Sequence, residues 1–209
     1  MTCLSVKKKV DAGCGVPRCT DGISDDGEIE PPSMLLIRPT RSLARRLGVR
    51  LPAEDANKPG LLTEWYANDF RLGRGEFVLF LSPCTCVPLV MRAPPYRDLP
   101  MRFHFQLLEY VQWLGWADAP RILGPQLAVG VQYARTQDRS ALGVIVEFIK
   151  HLEVDHEIER LDLNATLKMS RRLADILVGA HGYQTPVEMF RKAVGIAPQP
   201  RKTHLRLLN

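Results

Sequence analysis

Residues 136–143, TQDRSALG, join an apolar stretch to a helical one, and their side-chain types suit anion binding. Asp138 or Ser140 can cap a helix that starts here, and the first amides of a helix point out of its N-terminus toward negative charge. Arg139 adds a fixed cation with a forked donor set. Gly143, in the first turn, permits close approach of a ligand or another backbone. The plain structural alternative is a capped helix whose Arg139 pairs with Asp138 or Asp69 and whose Gly143 packs against a sheet. A second stretch, Glu64-Trp65-Tyr66-Ala67-Asn68-Asp69, places Tyr66 and Asn68 on one face of a strand, and an Asn side chain offers both donor and acceptor. Its plain alternative is Trp65 as a core anchor on the opposite face, with Asn68 satisfying a turn or bulge. A ligand site built from Asn68, Tyr66, Asp138, Arg139, Ser140 and Gly143 requires Asn68 and Arg139 to converge in one cleft.

Charge suggests a different kind of site. The chain carries a net +5, while residues 1–33 hold four basic and six acidic groups, so the excess lies in the remainder. Residues 34–50 contain Arg38, Arg41, Arg45, Arg46 and Arg50 and no acid. A local cationic field of this kind attracts phosphate or an acidic partner, although many charge clusters are simply solvated surface. Arg41 falls at the positive end of a short helix, where a cation is unfavourable unless an anion meets it.

Metal and nucleophile chemistry find less support. Glu147, His151 and Asp155 are spaced four apart on one helix face, but without a third strong ligand elsewhere no metal is expected. His156 falls with Ile145, Ile149 and Leu152 on the apolar stripe. The five cysteines are an odd number, against a complete disulfide framework. Cys84 and Cys86 read as two buried, inert thiols on the same face of a strand. The chain has no P-loop, GxGxxG, GxSxG, HExxH or CxxC pair, and no cofactor is expected.

The elements that must position these groups begin at residue 34. Residues 1–33 lack apolar periodicity and read as a disordered leader, with Met34 as an alternative start. Leu35 to Ile37 form a short strand, followed by a helix capped by Thr40 and stopped by Gly48. Thr63 to Leu72 alternates, Gly73-Arg74-Gly75 is a hairpin turn, and Glu76 to Leu81 is an apolar strand. Thr85 to Met91 reads as a third strand, which Pro88 confines to an edge. A helix capped by Asp98 runs through Leu114, its stripe of Phe103, Leu107, Tyr110 and Leu114 facing the core. Residues 127–135 alternate as a strand, with Leu127, Val129, Val131 and Tyr133 on the buried side. Helices follow from 138–140, carrying Leu142, Ile145, Val146, Ile149 and Leu152, and from Asn164. The last opens with the capping box Thr185-Pro186-Val187-Glu188 and ends at Gly195. The basic tail, 196–209, is expected to fray.

The run Ile37-x-x-Thr40-x-x-Leu43-x-x-x-Leu47, the Trp65-x-Ala67-Asn68 strand, the Asp138-Arg139-Ser140-x-Leu142-Gly143 turn and the late helix from about Asn164 to Phe190 carry a resemblance. Together they look like a family of small prokaryotic proteins known only as a domain of unknown function, and the likeness spans most of 34–195. Relatives in that family often carry His where this chain has Tyr66. The resemblance therefore implies that an imidazole base there is not essential, since a tyrosine with a pKa near ~10 cannot replace it at neutral pH. It supports the domain limits and the two polar motifs and brings no activity.

The expected class is α+β: a mixed, mainly antiparallel sheet of about five strands with four to five helices in a single domain, 34–195. The start MTCLSVKKKV has its basic residues after the apolar ones, unlike a secretory signal, and no run approaches the ~18–20 apolar residues of a membrane helix. A cytoplasmic location without a membrane partner is expected. The leading functional expectation is a non-enzymatic module binding nucleic acid or an acidic protein through its basic surface. An enzyme acting on a phosphate- or carboxylate-bearing substrate around Asn68 and Arg139 is the alternative. A structural subunit docking through Trp113 and Trp116 is a third.

Overall fold

A computed structural model of the chain describes residues 34–52, 62–179 and 182–197. The leader, residues 1–33, and the tail from 198 lie outside the described residues. Among the described residues five strands form one sheet: β1 (Leu35–Pro39), β2 (Glu64–Leu72), β3 (Gly75–Leu81), β4 (Pro88–Arg92) and β5 (Val131–Tyr133), in the order β4-β3-β2-β1-β5. Six α-helices among the described residues accompany them: α1 (Arg41–Leu47), α2 (Leu99–Trp113), α3 (Ala119–Ala128), α4 (Arg139–Glu159), α5 (Thr166–Ala174) and α6 (Pro186–Ala193). The class is α+β, with slightly more helices than expected. β1 runs parallel to both β2 and β5, while the longer β2–β3 and β3–β4 ladders are antiparallel.

The sheet separates two cores, and strand alternation decides which residue enters which. Trp65, Ala67, Val78, Phe80, Leu89 and Met91 face α2, with Leu43 of α1, Leu123 of α3 and Phe190 of α6. Tyr66, Phe77, Leu79, Leu81 and Val90 face the other way, against Ile145, Phe148 and Leu152 of α4 and Met169 and Leu173 of α5. Trp65 anchors the first core as expected: it is fully buried, its indole N–H donates to the Leu62 carbonyl, and the Phe103 ring meets it edge-on at 5.2 Å. β4 is the edge strand that Pro88 implied. Its Val90 amide donates to Ser170 Oγ of α5 at 2.8 Å, and that hydroxyl donates to the Thr166 carbonyl. β2 turns into β3 through Gly73-Arg74, with Gly73 at φ 55°, a left-handed conformation that favours glycine.

Several expectations are corrected. Residues 127 and 128 end α3, so the strand foreseen over 127–135 shrinks to Val131–Tyr133. Leu127 is buried from the helix, and Val129 is exposed. Gly124 and Pro125 argue against a helix locally, but Ala119, Leu123 and Leu127 bury a stripe in the α2-side core, and tertiary burial outweighs propensity. Cys84 and Cys86 do not share a strand face. They occupy a turn in which the Cys86 amide donates to the Ser82 carbonyl with Cys86 at φ 52°, and β4 starts only at Pro88. Burial, followed by the Asp138 charge, pushes the Cys86 thiol up to about 12, which keeps it protonated. Asp98 makes no capping bond and instead ends a 3-10 turn, Tyr96–Asp98, beside Arg97. Thr40 holds the N-cap position of α1, but its hydroxyl is committed elsewhere. Val146 points outward from α4. The Thr185 capping box is complete.

Candidate functional site

β1 and β5 are parallel neighbours whose chains leave in opposite directions. β1 leads into α1, whose Leu43 joins the α2-side core, and β5 leads to α4 in the other core. In parallel sheets such a divergence opens a crevice at the carboxyl ends of the strands. The residues there are tied together. Buried Arg38 pairs with Glu64 and donates from Nη1 to the Arg135 carbonyl at 2.7 Å. Thr40 Oγ1 donates to Asn68 Oδ1 at 3.0 Å. The Asp138 amide donates to the Tyr66 hydroxyl at 3.2 Å, so the β2 motif and the 136–143 turn adjoin. Burial raises the Tyr66 pKa more than the Asp138 bond lowers it, so the phenol stays neutral at ordinary pH.

The α4 N-terminus is already filled. Asp138 Oδ1 accepts from the Ser140 and Ala141 amides at 2.7 and 3.3 Å, placing the chain's own carboxylate where an outside anion was expected. Arg139 and Ser140 are exposed, and Arg139 pairs with neither Asp138 nor Asp69. Gly143 is exposed, and a β-carbon there would meet open space, so it serves no close approach to the sheet. Of the six residues proposed together, Tyr66 and Asp138 touch. Asn68 lies on the Tyr66 face but bonds back to Thr40.

The basic surface is narrower than the sequence implied. Arg38 leaves it: the residue is 5% exposed, and its guanidinium lies between Glu64 and the Arg135 carbonyl, inside the protein. Glu64 follows 26 residues later, which is why the acid-free window concealed the pair. Arg41, Arg45 and Arg50 are exposed and make no ion pair with a described residue. Arg46 has several partners: Nε meets Asp69 Oδ2 at 3.1 Å, Nη1 meets Glu76 at 3.3 Å and Tyr96 Oη at 2.6 Å, and the Tyr96 ring lies beneath it. Ser42 Oγ donates to the same Asp69 oxygen at 3.1 Å. Glu76 is kept below the usual carboxylate range by its hydrogen bonds from Arg71 and then Arg46. A shallow depression of about 310 Å³ opens among Ser42, Arg45 and Arg46. Sequence reasoning missed Ser42, Glu76 and Tyr96; the i, i+4 spacing of Ser42 and Arg46 was the available signal.

A second depression, about 330 Å³, lies at the α4–α5 junction beside Arg172. Arg172 binds Asp155 and Glu159, so Asp155 already has a cationic partner. Among the described residues no group of three His, Cys, Asp or Glu side chains is disposed to hold a metal. No helix among them is long and apolar enough to cross a membrane. Trp113 is partly exposed beneath the Arg171 guanidinium, and Trp116 packs edge-on against Phe190.

These features describe a mixed-sheet α+β protein with a hydrogen-bonded polar cluster at one strand end and an arginine face on α1. Residues 36–189 match DUF6933, a domain of unknown function, and the chain belongs to that family. No curated protein and no solved structure matches it significantly.

Proposed function

We propose that the protein is a non-enzymatic, cytoplasmic nucleic-acid-binding module that engages the phosphate backbone through α1. One observation carries this reading: Arg41, Arg45 and Arg50 stand exposed with no carboxylate partner among the described residues, beside an Arg46 bound by Asp69, Glu76 and Tyr96. Unpaired, solvated guanidinium groups give up little on meeting phosphate and release condensed counterions from the nucleic acid. Fluorescence anisotropy with labelled RNA and DNA oligonucleotides tests it. Affinity should fall steeply between about 50 and 200 mM salt, and Arg45→Ala should reduce the salt slope by about one. Salt-independent or absent affinity overturns it. Binding of an acidic peptide instead assigns the same surface to an acidic protein partner.

A second reading is an enzyme site for a small phosphate- or carboxylate-bearing substrate around Asn68 and Arg139. The Tyr66–Asp138 hydrogen bond favours it, because it joins the two polar motifs at one strand end. Orthophosphate titration followed by NMR should then shift the Asn68 and Arg139 resonances, and Arg139→Ala should abolish those shifts without altering the fold.

A further inference from the structure

We infer that the depression among Ser42, Arg45 and Arg46 is a ribose-phosphate subsite that makes the protein prefer RNA to DNA. The inference rests on the nucleic-acid reading and adds the sugar to it. The three residues stand at i, i+3 and i+4 on α1, so their side chains share one helix face. The volume, about 310 Å³, lies at the lower end of the roughly 300–1,000 Å³ range of ligand pockets and suits one nucleotide unit rather than an extended groove.

The donor and acceptor pattern decides the ligand. Arg45 brings a guanidinium with no ion-pair partner among the described residues, and Arg46 brings one bound by Asp69, Glu76 and Tyr96. Both donate, and phosphate oxygens accept. Ser42 differs. Its single hydroxyl proton goes to Asp69 Oδ2, so its oxygen retains only lone pairs for anything entering the depression. The negative Asp69, whose Oδ1 is buried without a hydrogen-bond partner, polarises that hydroxyl toward acceptance. The wall therefore offers two cationic donors and one acceptor a few ångströms apart. A phosphate alone satisfies the donors and leaves Ser42 unused. A phosphate with an adjacent hydroxyl satisfies all three, and the 2′-hydroxyl is the group that RNA carries and DNA lacks.

The experiment compares three oligonucleotides of one sequence, RNA, DNA and 2′-O-methyl RNA, against the full chain at fixed moderate salt. RNA should bind about fivefold more tightly than DNA, the factor expected of one additional hydrogen bond. The 2′-O-methyl strand, which has lost the donor, should bind like DNA. Ser42→Ala should abolish the difference between RNA and DNA, and Ser42→Thr, which keeps a hydroxyl, should retain the preference. If Ser42→Ala does not fold, the 2′-O-methyl comparison on the native chain decides alone. Equal, salt-sensitive affinity for all three strands overturns the subsite and leaves the nucleic-acid reading standing. A preference that survives Ser42→Ala also overturns the subsite. No binding to any strand removes both.

Discussion

The Tyr66 hydroxyl accepts a hydrogen bond from the Asp138 amide at 3.2 Å, spanning 72 residues of sequence. That bond fixes where α4 begins relative to β2, and the same Asp138 then closes the helix with its side chain. One residue thus uses its backbone toward the sheet and its carboxylate toward the helix.

Removing that acceptor isolates the contribution. Tyr66→Phe keeps the ring in the α4-side core and leaves the Asp138 amide to find water at an exposed position. Stability should fall by about 1 kcal/mol, the usual net worth of such a bond. Urea unfolding should show a lower midpoint with an unchanged slope.

Gly143 should behave as an ordinary helix glycine. It lies in the first turns of α4 with open space where a β-carbon would go. Gly143→Ala should therefore stabilise by about 0.5–1 kcal/mol, visible as a raised Tm. A loss of stability would mean that something approaches that backbone closely.

Ser170 carries a heavier obligation, because it satisfies the Val90 amide within a buried contact. Ser170→Ala should cost about 1–3 kcal/mol, the penalty for a buried donor left unpartnered. Hydrogen exchange at Val90 should rise more than at neighbouring β3 amides.

Glu76 gives the pH dependence. Its folded pKa is depressed by hydrogen bonds from Arg71 and Arg46, so ionisation favours the folded state. The contribution is present above the unfolded value of about 4.3 and is lost as pH falls through the lower folded value. Thermal melts of native protein and Glu76→Gln should differ at neutral pH and converge in that acid window. High salt should narrow the neutral-pH gap, since the group remains partly open to solvent.

β2 was legible from sequence because its two faces meet different surroundings: Trp65 and Ala67 enter one core, Tyr66 the other, and alternation records that directly. The α6 capping box was legible because all its partners lie within four residues. α3 was hidden by Gly124 and Pro125, and an accidental alternation across Leu127, Val129, Val131 and Tyr133 imitated a strand. At the candidate sites, the acid-free stretch 34–50 made a basic face legible, and Arg41, Arg45 and Arg50 are exposed with no ion-pair partner among the described residues. The burial of Arg38 and the partners of Arg46 were not legible, because Glu64, Asp69, Glu76 and Tyr96 reach them only through sheet pairing and helix docking. The Asp138 cap was foreseen as one of two choices. That its carboxylate takes up the Ser140 and Ala141 amides depends on which oxygen meets which amide, a matter of ångströms.

The cover that α5 places over β4 governs how copies of this chain behave when concentrated. An uncovered sheet margin offers a row of unpaired amides and carbonyls onto which another molecule can zip, the first step toward fibrils. Here the β4 margin is shielded by a helix that itself takes up the Val90 amide, and the β5 margin is a three-residue strand. Neither offers a long template, so the fold resists edge-to-edge polymerisation even though β3 is strongly apolar.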